Sequence, residues 1–175
     1  SETTEDTGSW VQTLTRKLGE PVVRRAVLQA MRIMGGQYVL GRTIKEAIGK
    51  GRATNKPGTR FSFDMLGEGA RTGSDAQRYF DAYAEAIRVL ADANTEGDIT
   101  RADGISIKLS ALHPRYAFSQ YDRVMSQLLP RVEQLAMMAS ADNLSLTIDA
   151  EESARLDISL DLSEALARDP ELSDW

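Results

Sequence analysis

The chain has 175 residues, 42% of them apolar and 27% charged, and its 21 Lys+Arg against 26 Asp+Glu give a net charge of −5. That length suits one domain with a real core rather than two ordinary ones, and the acidic balance argues against a protein that binds nucleic acid by neutralising phosphates. The absence of Cys excludes disulfide scaffolds, thiolate catalysis and Cys-built zinc sites, and the single His argues against a His-rich metal site or a Ser-His-Asp triad.

Residues 1–9 (SETTEDTGS) have no apolar periodicity and read as a disordered tail, not as a signal peptide. Pro21 then opens a helix at a favoured early position, and Val23, Val27, Ala30, Met31 and Met34 follow at helical spacing. Gly35-Gly36 is expected to end it with a left-handed cap. A shorter helix, Thr43 to Lys50, is expected to close against Gly51, and Pro57-Gly58 marks a turn in the loop that follows. Phe61 to Met65 alternates with period two, as a strand does. Ser74 with Gln77 resembles a capping box that starts a helix with Ala76, Phe80, Tyr83, Ala84, Ile87, Leu90 and Ala91 as its apolar stripe. Ile105 to Ser110 alternates again. A helix from about Ser119 follows, and Pro130 should kink or divide it. Leu144 to Ala150 is the third alternating run, and a last helix spans Asp157 to Ala167. The Met pairs, Met31/Met34 and Met137/Met138, read as core packing. No run approaches ~18 apolar residues, the length that would cross a membrane.

Strands alternating with helices imply a parallel sheet built from crossover units. Fully buried parallel strands are continuous apolar runs, and these three are not. One face carries Phe61, Phe63, Met65, Ile105, Ile107, Leu109, Leu146, Ile148 and Ala150. The other carries Ser62, Asp64, Ser106, Lys108, Ser110, Ser145, Thr147 and Asp149. If the apolar face meets the helices, the polar face needs a hydrated or internally paired space, which a barrel lumen provides. Asp64, Lys108 and Asp149 then lie near the C-terminal strand ends, the rim where α/β-barrel active sites sit. The same trio also reads as a structural ion-pair network, and the sequence leaves both readings open. A (β/α)8 barrel needs eight strands and roughly 250 residues, so three strands leave both sheet edges open. The chain is then either a small open α/β sheet or one piece of a larger protein. Its stop at Ser173-Asp174-Trp175, just after a helix, favours the second expectation.

The runs FSFDMLGEGART (residues 61–72), GISIKLSALHPRY (104–116) and TIDAEESARLDISLDL (147–162) resemble bacterial proline dehydrogenase, specifically the flavin-dependent barrel of the bifunctional proline utilization A enzymes. GEPVVRRAVLQAMRIMGGQYVLGRTIKEA (19–47) is similar to the helical segment that precedes that barrel. The resemblance implies the first three βα units of a (β/α)8 TIM-like barrel, incomplete in this chain. Residues 10–59 would be the preceding helical segment and 60–175 the N-terminal part of the barrel. It implies FAD as cofactor, L-proline as substrate, Δ1-pyrroline-5-carboxylate as product and a membrane quinone as electron acceptor. A bifunctional parent would use NAD in a separate domain for the next oxidation. Neither that domain nor the small DNA-binding domain of some members is expected within this length. The implied location is cytoplasmic, with the parent peripheral at the inner membrane. Further expected partners are the remainder of the parent barrel and, through uncovered faces, other copies of the chain.

By the same resemblance Lys108 is a catalytic and substrate-binding lysine of the proline site, where an ammonium at a strand end holds a carboxylate. Asp149 is a catalytic aspartate beside the flavin, and Ala150 a small cofactor-binding residue under the isoalloxazine; read alone, Ala150 is a packing residue. Glu68 matches a glutamate that pairs with a gating arginine over the substrate, and Asp64 supports it; solvated rim charges are the alternative for both. Glu151 and Glu152 are expected to cap the following helix, and His113 to make a loop contact rather than to act as acid or base. The arginine pair that clamps the substrate carboxylate belongs to later strands of the family, so this piece alone is expected to be inactive. Two alternatives stay open. One is another flavin barrel of the methylenetetrahydrofolate-reductase type, since fold does not decide function. The other is a non-catalytic interaction module.

Overall fold

The computed structural model describes residues 19–175 apart from residues 55, 57 and 96, so the expected tail at residues 1–9 and Pro57 of the expected turn lie outside the described residues. The chain divides into two units, residues 1–50 and 51–175. In the first, α1 (Glu20–Tyr38) starts with Pro21 in its first turn. The expected stop at Gly35-Gly36 does not occur. Neither glycine takes a left-handed conformation, and the helix runs on until the Val39 N–H closes on the Gly35 carbonyl. Met31 and Met34 are 59% and 57% exposed, and Val27 is 52% exposed. Helical spacing was therefore present without burial, and the reading of that methionine pair as core packing is corrected. Helix α2 (Ile44–Thr54) begins with a reciprocal cap. The Glu46 N–H donates to Thr43 Oγ1 and the Arg42 N–H to Glu46 Oε2. It runs past Gly51, where it was expected to close. A Cβ at Gly51 would come within 2.9 Å of the Phe61 ring, so the glycine is needed for close approach rather than for a stop.

The second unit holds a parallel sheet in the order β1 (Ser62–Asp64), β2 (Gly104–Ile107), β3 (Leu146–Ile148). The rows of the register are Phe63, Ile105, Leu146 and then Asp64, Ser106, Thr147. Each strand is shorter than its alternating run, but the parity holds. Phe63 is buried between exposed Ser62 and Asp64, and Thr147 is exposed between half-buried Leu146 and Ile148. The central strand is buried on both faces.

Helix α3 (Gly73–Ala93) joins β1 to β2. Its capping box is Thr72 with Asp75, two residues earlier than the expected pair of Ser74 and Gln77. Gln77 instead donates to Asp81 and accepts from Arg131. After β2 the chain turns at once into the short α4 (Leu109–Leu112), so Ser110 leaves the strand and its polar column. The following helix is divided as expected. Helix α5 (Tyr121–Gln127) and helix α6 (Leu129–Ala141) meet at Leu128, and Pro130 sits in the first turn of α6, where its missing N–H costs no helical bond. Helix α7 (Leu156–Ala167) follows β3.

The core lies between the apolar sheet face and helices α3, α6 and α7. Tyr83, Ile87, Ile105, Ile107, Leu128, Leu135, Leu144, Ile158 and Leu162 are all sealed from solvent. Each large aliphatic among them contributes about 1.5–3 kcal/mol of burial, and this layer packs the sheet against the helices. The opposite face carries the polar column.

Candidate functional site

Along β2 the polar face carries Gly104, Ser106 and Lys108, side chains that lengthen toward the C-terminal end. At the N-terminal end the column is closed. A Cβ on Gly104 would overlap Ser145 Oγ and come within 2.6 Å of the Ser145 carbonyl oxygen. At the C-terminal end there is room for a long side chain, and Lys108 reaches across both neighbouring strands. Its Nζ lies 2.6 Å from Asp64 Oδ2 and 2.7 Å from Asp149 Oδ2. The three residues that sequence parity singled out therefore meet in one cluster. Ser106, one row below, donates its hydroxyl to Asp149 Oδ1. The parity pattern already put Ser106 on this face without giving it a part in the site.

The electrostatics follow from partial burial. Burial works against the Lys108 ammonium, whose side chain is 16% exposed, but the hydrogen bonds and charges of Asp149 and Asp64 outweigh it and raise its pKa. Burial likewise pushes the Asp149 carboxyl up, and hydrogen bonds from Lys108 and Ser106 overcome this and hold it below the usual carboxylate range. Lys108 and Asp149 thus hold each other charged throughout the neutral range. An ammonium has three N–H donors. Two are taken by Asp64 and Asp149, and the third has no acceptor among the described residues.

Tyr83 of α3 belongs to the same cluster, and the sequence showed it only as part of an apolar stripe. Its Oη accepts the Lys108 backbone N–H at 3.1 Å. Strand β2 ends at Ile107, so that N–H needs an acceptor from outside the sheet. Burial is the main cause that raises the Tyr83 phenol, which stays neutral at neutral pH.

The other predicted residues do not join this cluster. Glu68 is exposed in the loop after β1, between Gly67 and Gly69, both at positive φ, and it has no ion-pair partner among the described residues. Ala150 is exposed directly after Asp149. His113 is 5% exposed; its Nδ1 accepts the Arg115 N–H, which leaves Nε2 as the donor to Gln127 Oε1, the loop role expected of it. Glu151 and Glu152 do not cap the next helix. Glu151 Oε1 accepts the Ser110 N–H at 2.9 Å, and both carboxylates pair with Arg155. Glu151 is held by the Ser110 N–H at the start of α4 and by Arg155, not by the start of α7, whose N-cap has no side-chain hydrogen bond. Among the described residues no group of three or more acids and histidines is arranged for a metal, and no helix is long and apolar enough to cross a membrane.

The family model described as Proline dehydrogenase matches residues 47–175, and the model described as DNA-binding domain of Proline dehydrogenase matches residues 1–38. The second match corrects the expectation that nothing of such a domain lies in this chain; residues 1–18 of the matched stretch fall outside the described residues. The chain is 51% identical to the bifunctional protein PutA of Escherichia coli (strain K12) over 159 residues, 91% of this chain and 12% of that protein. It therefore spans about an eighth of the length of that relative. A crystal structure of a mutant Proline Utilization A from Bradyrhizobium japonicum superposes with a TM-score of 0.73 at 51% identity, over 93% of this chain and 16% of that one. A structure of proline utilization A with proline bound in remote sites matches at TM-score 0.73 and 50% identity, over 93% of this chain and 17% of that one.

Proposed function

The chain belongs to the proline dehydrogenase family, and on that premise we propose that it supplies the first three βα units of a (β/α)8 barrel that oxidises L-proline to Δ1-pyrroline-5-carboxylate. In that reaction a ring C–N bond becomes C=N as hydride leaves carbon and a proton leaves nitrogen. The observation that carries the reading is the Asp64–Lys108–Asp149 cluster at the C-terminal end of the strands.

The cluster suits a zwitterion. The third N–H of Lys108 takes the substrate carboxylate by a charge-assisted bond. Asp64, whose side chain is 43% exposed, offers carboxylate oxygen to the cationic ring nitrogen. Asp149 keeps Lys108 charged and is itself kept ionised by Lys108 and Ser106. Tyr83 holds the backbone of Lys108 so that the side chain enters the site from a set height.

FAD fits the same rim, because exposed Ala150 presents only a methyl group next to Asp149 and leaves room for a flat ring. When bound, the flavin supplies the acceptor for the hydride, with quinone as the onward acceptor. Asp149 and Ala150 are the residues of this chain that would border it. Glu68, exposed in the loop after β1, is the charge that closes over bound substrate. Residues 60–175 form the barrel part and residues 10–59 the helical segment before it. The remaining strands of the barrel and a second, NAD-dependent activity lie in the parent protein. The proposed setting is cytoplasmic, with the parent peripheral at the inner membrane.

The test is turnover by the longest natural polypeptide that carries this chain. L-Proline should reduce a quinone or dye acceptor, and methylenetetrahydrofolate should not. Lys108→Ala should lower kcat/KM for proline while the far-ultraviolet dichroism stays unchanged. A wild-type protein inert toward proline, or a Lys108→Ala protein with unchanged turnover, refutes the reading.

A further inference from the structure

Ser110 sits where three loops of the strands' C-terminal end converge. It is 4% exposed and follows β2 in the first turn of α4. Its N–H donates to Glu151 Oε1 of the β3 loop at 2.9 Å. Its Oγ accepts the Gly69 N–H at 3.2 Å, and its carbonyl accepts the Ala70 N–H at 2.8 Å, both from the β1 loop. Glu151, 10% exposed, is fixed from the far side by Arg155 Nη1 at 2.6 Å, and the Arg155 guanidinium lies over the ring of buried Tyr116. One side chain and its own peptide groups therefore tie all three loops together.

The loop held by this strut is the one that carries Glu68. Gly67 and Gly69, on either side of Glu68, have φ of +121° and +67°, a region open chiefly to glycine. Gly67 lies close to Tyr79 of α3, where a Cβ would come within 2.8 Å of the Tyr79 Oη, while Leu66 and Glu68 on either side of it are exposed. Glu68 has no ion-pair partner among the described residues, and the Gly69 and Ala70 amides are bound directly to Ser110. We propose that Ser110 and Glu151 are positioning residues that hold the Glu68 loop at a set distance above the Asp64–Lys108–Asp149 cluster, so that Glu68 closes over bound substrate. This rests on the reading of that rim as an amino-acid oxidation site. The strut acts through Glu68 on substrate retention and leaves the hydride step alone.

The experiment measures amide exchange and steady-state kinetics in the longest natural polypeptide that carries these residues, for wild type, Ser110→Ala, Glu151→Ala and Glu151→Gln. Ser110→Ala removes the acceptor of the Gly69 amide and keeps the carbonyl that binds Ala70. Exchange at Gly69 should rise about tenfold while Ala70 and helix α3 stay near wild type, as a local opening requires. Glu151→Ala should speed both loop amides. Glu151→Gln keeps an oxygen for the Ser110 N–H and should restore wild-type exchange. With L-proline, Ser110→Ala and Glu151→Ala should raise KM about tenfold with kcat little changed, the pattern of lost substrate binding. Unchanged Gly69 exchange in Ser110→Ala, or faster exchange throughout the protein, overturns the strut. Faster local exchange with unchanged KM overturns the positioning role. A wild-type protein that does not oxidise proline overturns the functional reading alone, because the exchange arm still reports on the strut.

Discussion

Replacing Lys108 by Met removes the ammonium and keeps most of the side-chain volume, leaving Asp64 and Asp149 facing each other. Unit charges about 4 Å apart attract by about 4 kcal/mol at an effective dielectric of 20. The contacts here are shorter, at 2.6 and 2.7 Å, but Asp64 is 43% exposed, which screens its pair to about 1 kcal/mol or less. Asp149, 27% exposed and held by Ser106, carries the larger share. Leaving one partner of a partly buried network uncompensated then costs about 2–4 kcal/mol. The pH dependence carries a definite sign. Asp149 has a depressed folded pKa, so its contribution is present above the unfolded value of about 3.9 and is lost as pH falls through the folded one. Lys108 has a raised folded pKa, so its contribution is complete below the unfolded value of about 10.4 and is lost as pH rises through the folded one. The gap between wild type and Lys108→Met is therefore widest from about pH 5 to 9 and closes in acid as the carboxylates protonate. Urea unfolding followed by circular dichroism at neutral and acid pH measures it, and adding Asp149→Asn to Lys108→Met should recover part of the loss. A gap equally wide in acid, or absent at neutral pH, refutes the charge argument.

Tyr83→Phe strands the Lys108 N–H in the core and should cost about 1–3 kcal/mol, read as a fall in Tm of roughly 2–4 °C per kcal/mol. Because burial raises the Tyr83 pKa, wild-type stability declines as pH rises through about 10, and the Phe variant should decline less steeply there; an unchanged Tm contradicts the assigned contact. Gly104→Ala drives a methyl group into Ser145 and its carbonyl oxygen and should destabilise by about 1–3 kcal/mol or more; a thermal melt identical to wild type would show that β2 and β3 are not packed this closely. Thr72→Ala removes half of the α3 capping box and should cost about 1 kcal/mol, with faster amide exchange at Asp75; protection unchanged at Asp75 rules the cap out. The 175-residue chain by itself should hold far less than one FAD per chain, because β1 and β3 have no outer strand partner among the described residues; flavin absorbance stoichiometric with protein after dialysis would refute this.

Much of the candidate site was legible before any coordinates. A strand alternates its side chains between two faces whatever surrounds it, so Asp64, Lys108 and Asp149 had to share a face once the three runs were paired in parallel. Pro130 had to break its helix, because proline lacks the N–H and clashes with the preceding turn. What was misread involved competition between neighbours. Thr72 and Ser74 are both good caps two residues apart, and Asp75 decides in favour of the first. Gly35-Gly36 was compatible with a helix end and with a helix that continues, and the continued backbone bonds prevailed.

What the sequence determined alone is the set of local periodicities: which residues alternate, where a ring forbids a helix, and which side chains a strand sends to its wet side. These depend on backbone geometry within a few residues. Only the folded chain decided that Ser110 leaves its strand, that Tyr83 reaches from α3 to the peptide of Lys108, and that Glu151 turns back to a turn some forty residues earlier. A buried N–H must find an acceptor, and which acceptor lies within reach depends on how distant elements stack, which short-range pattern does not encode.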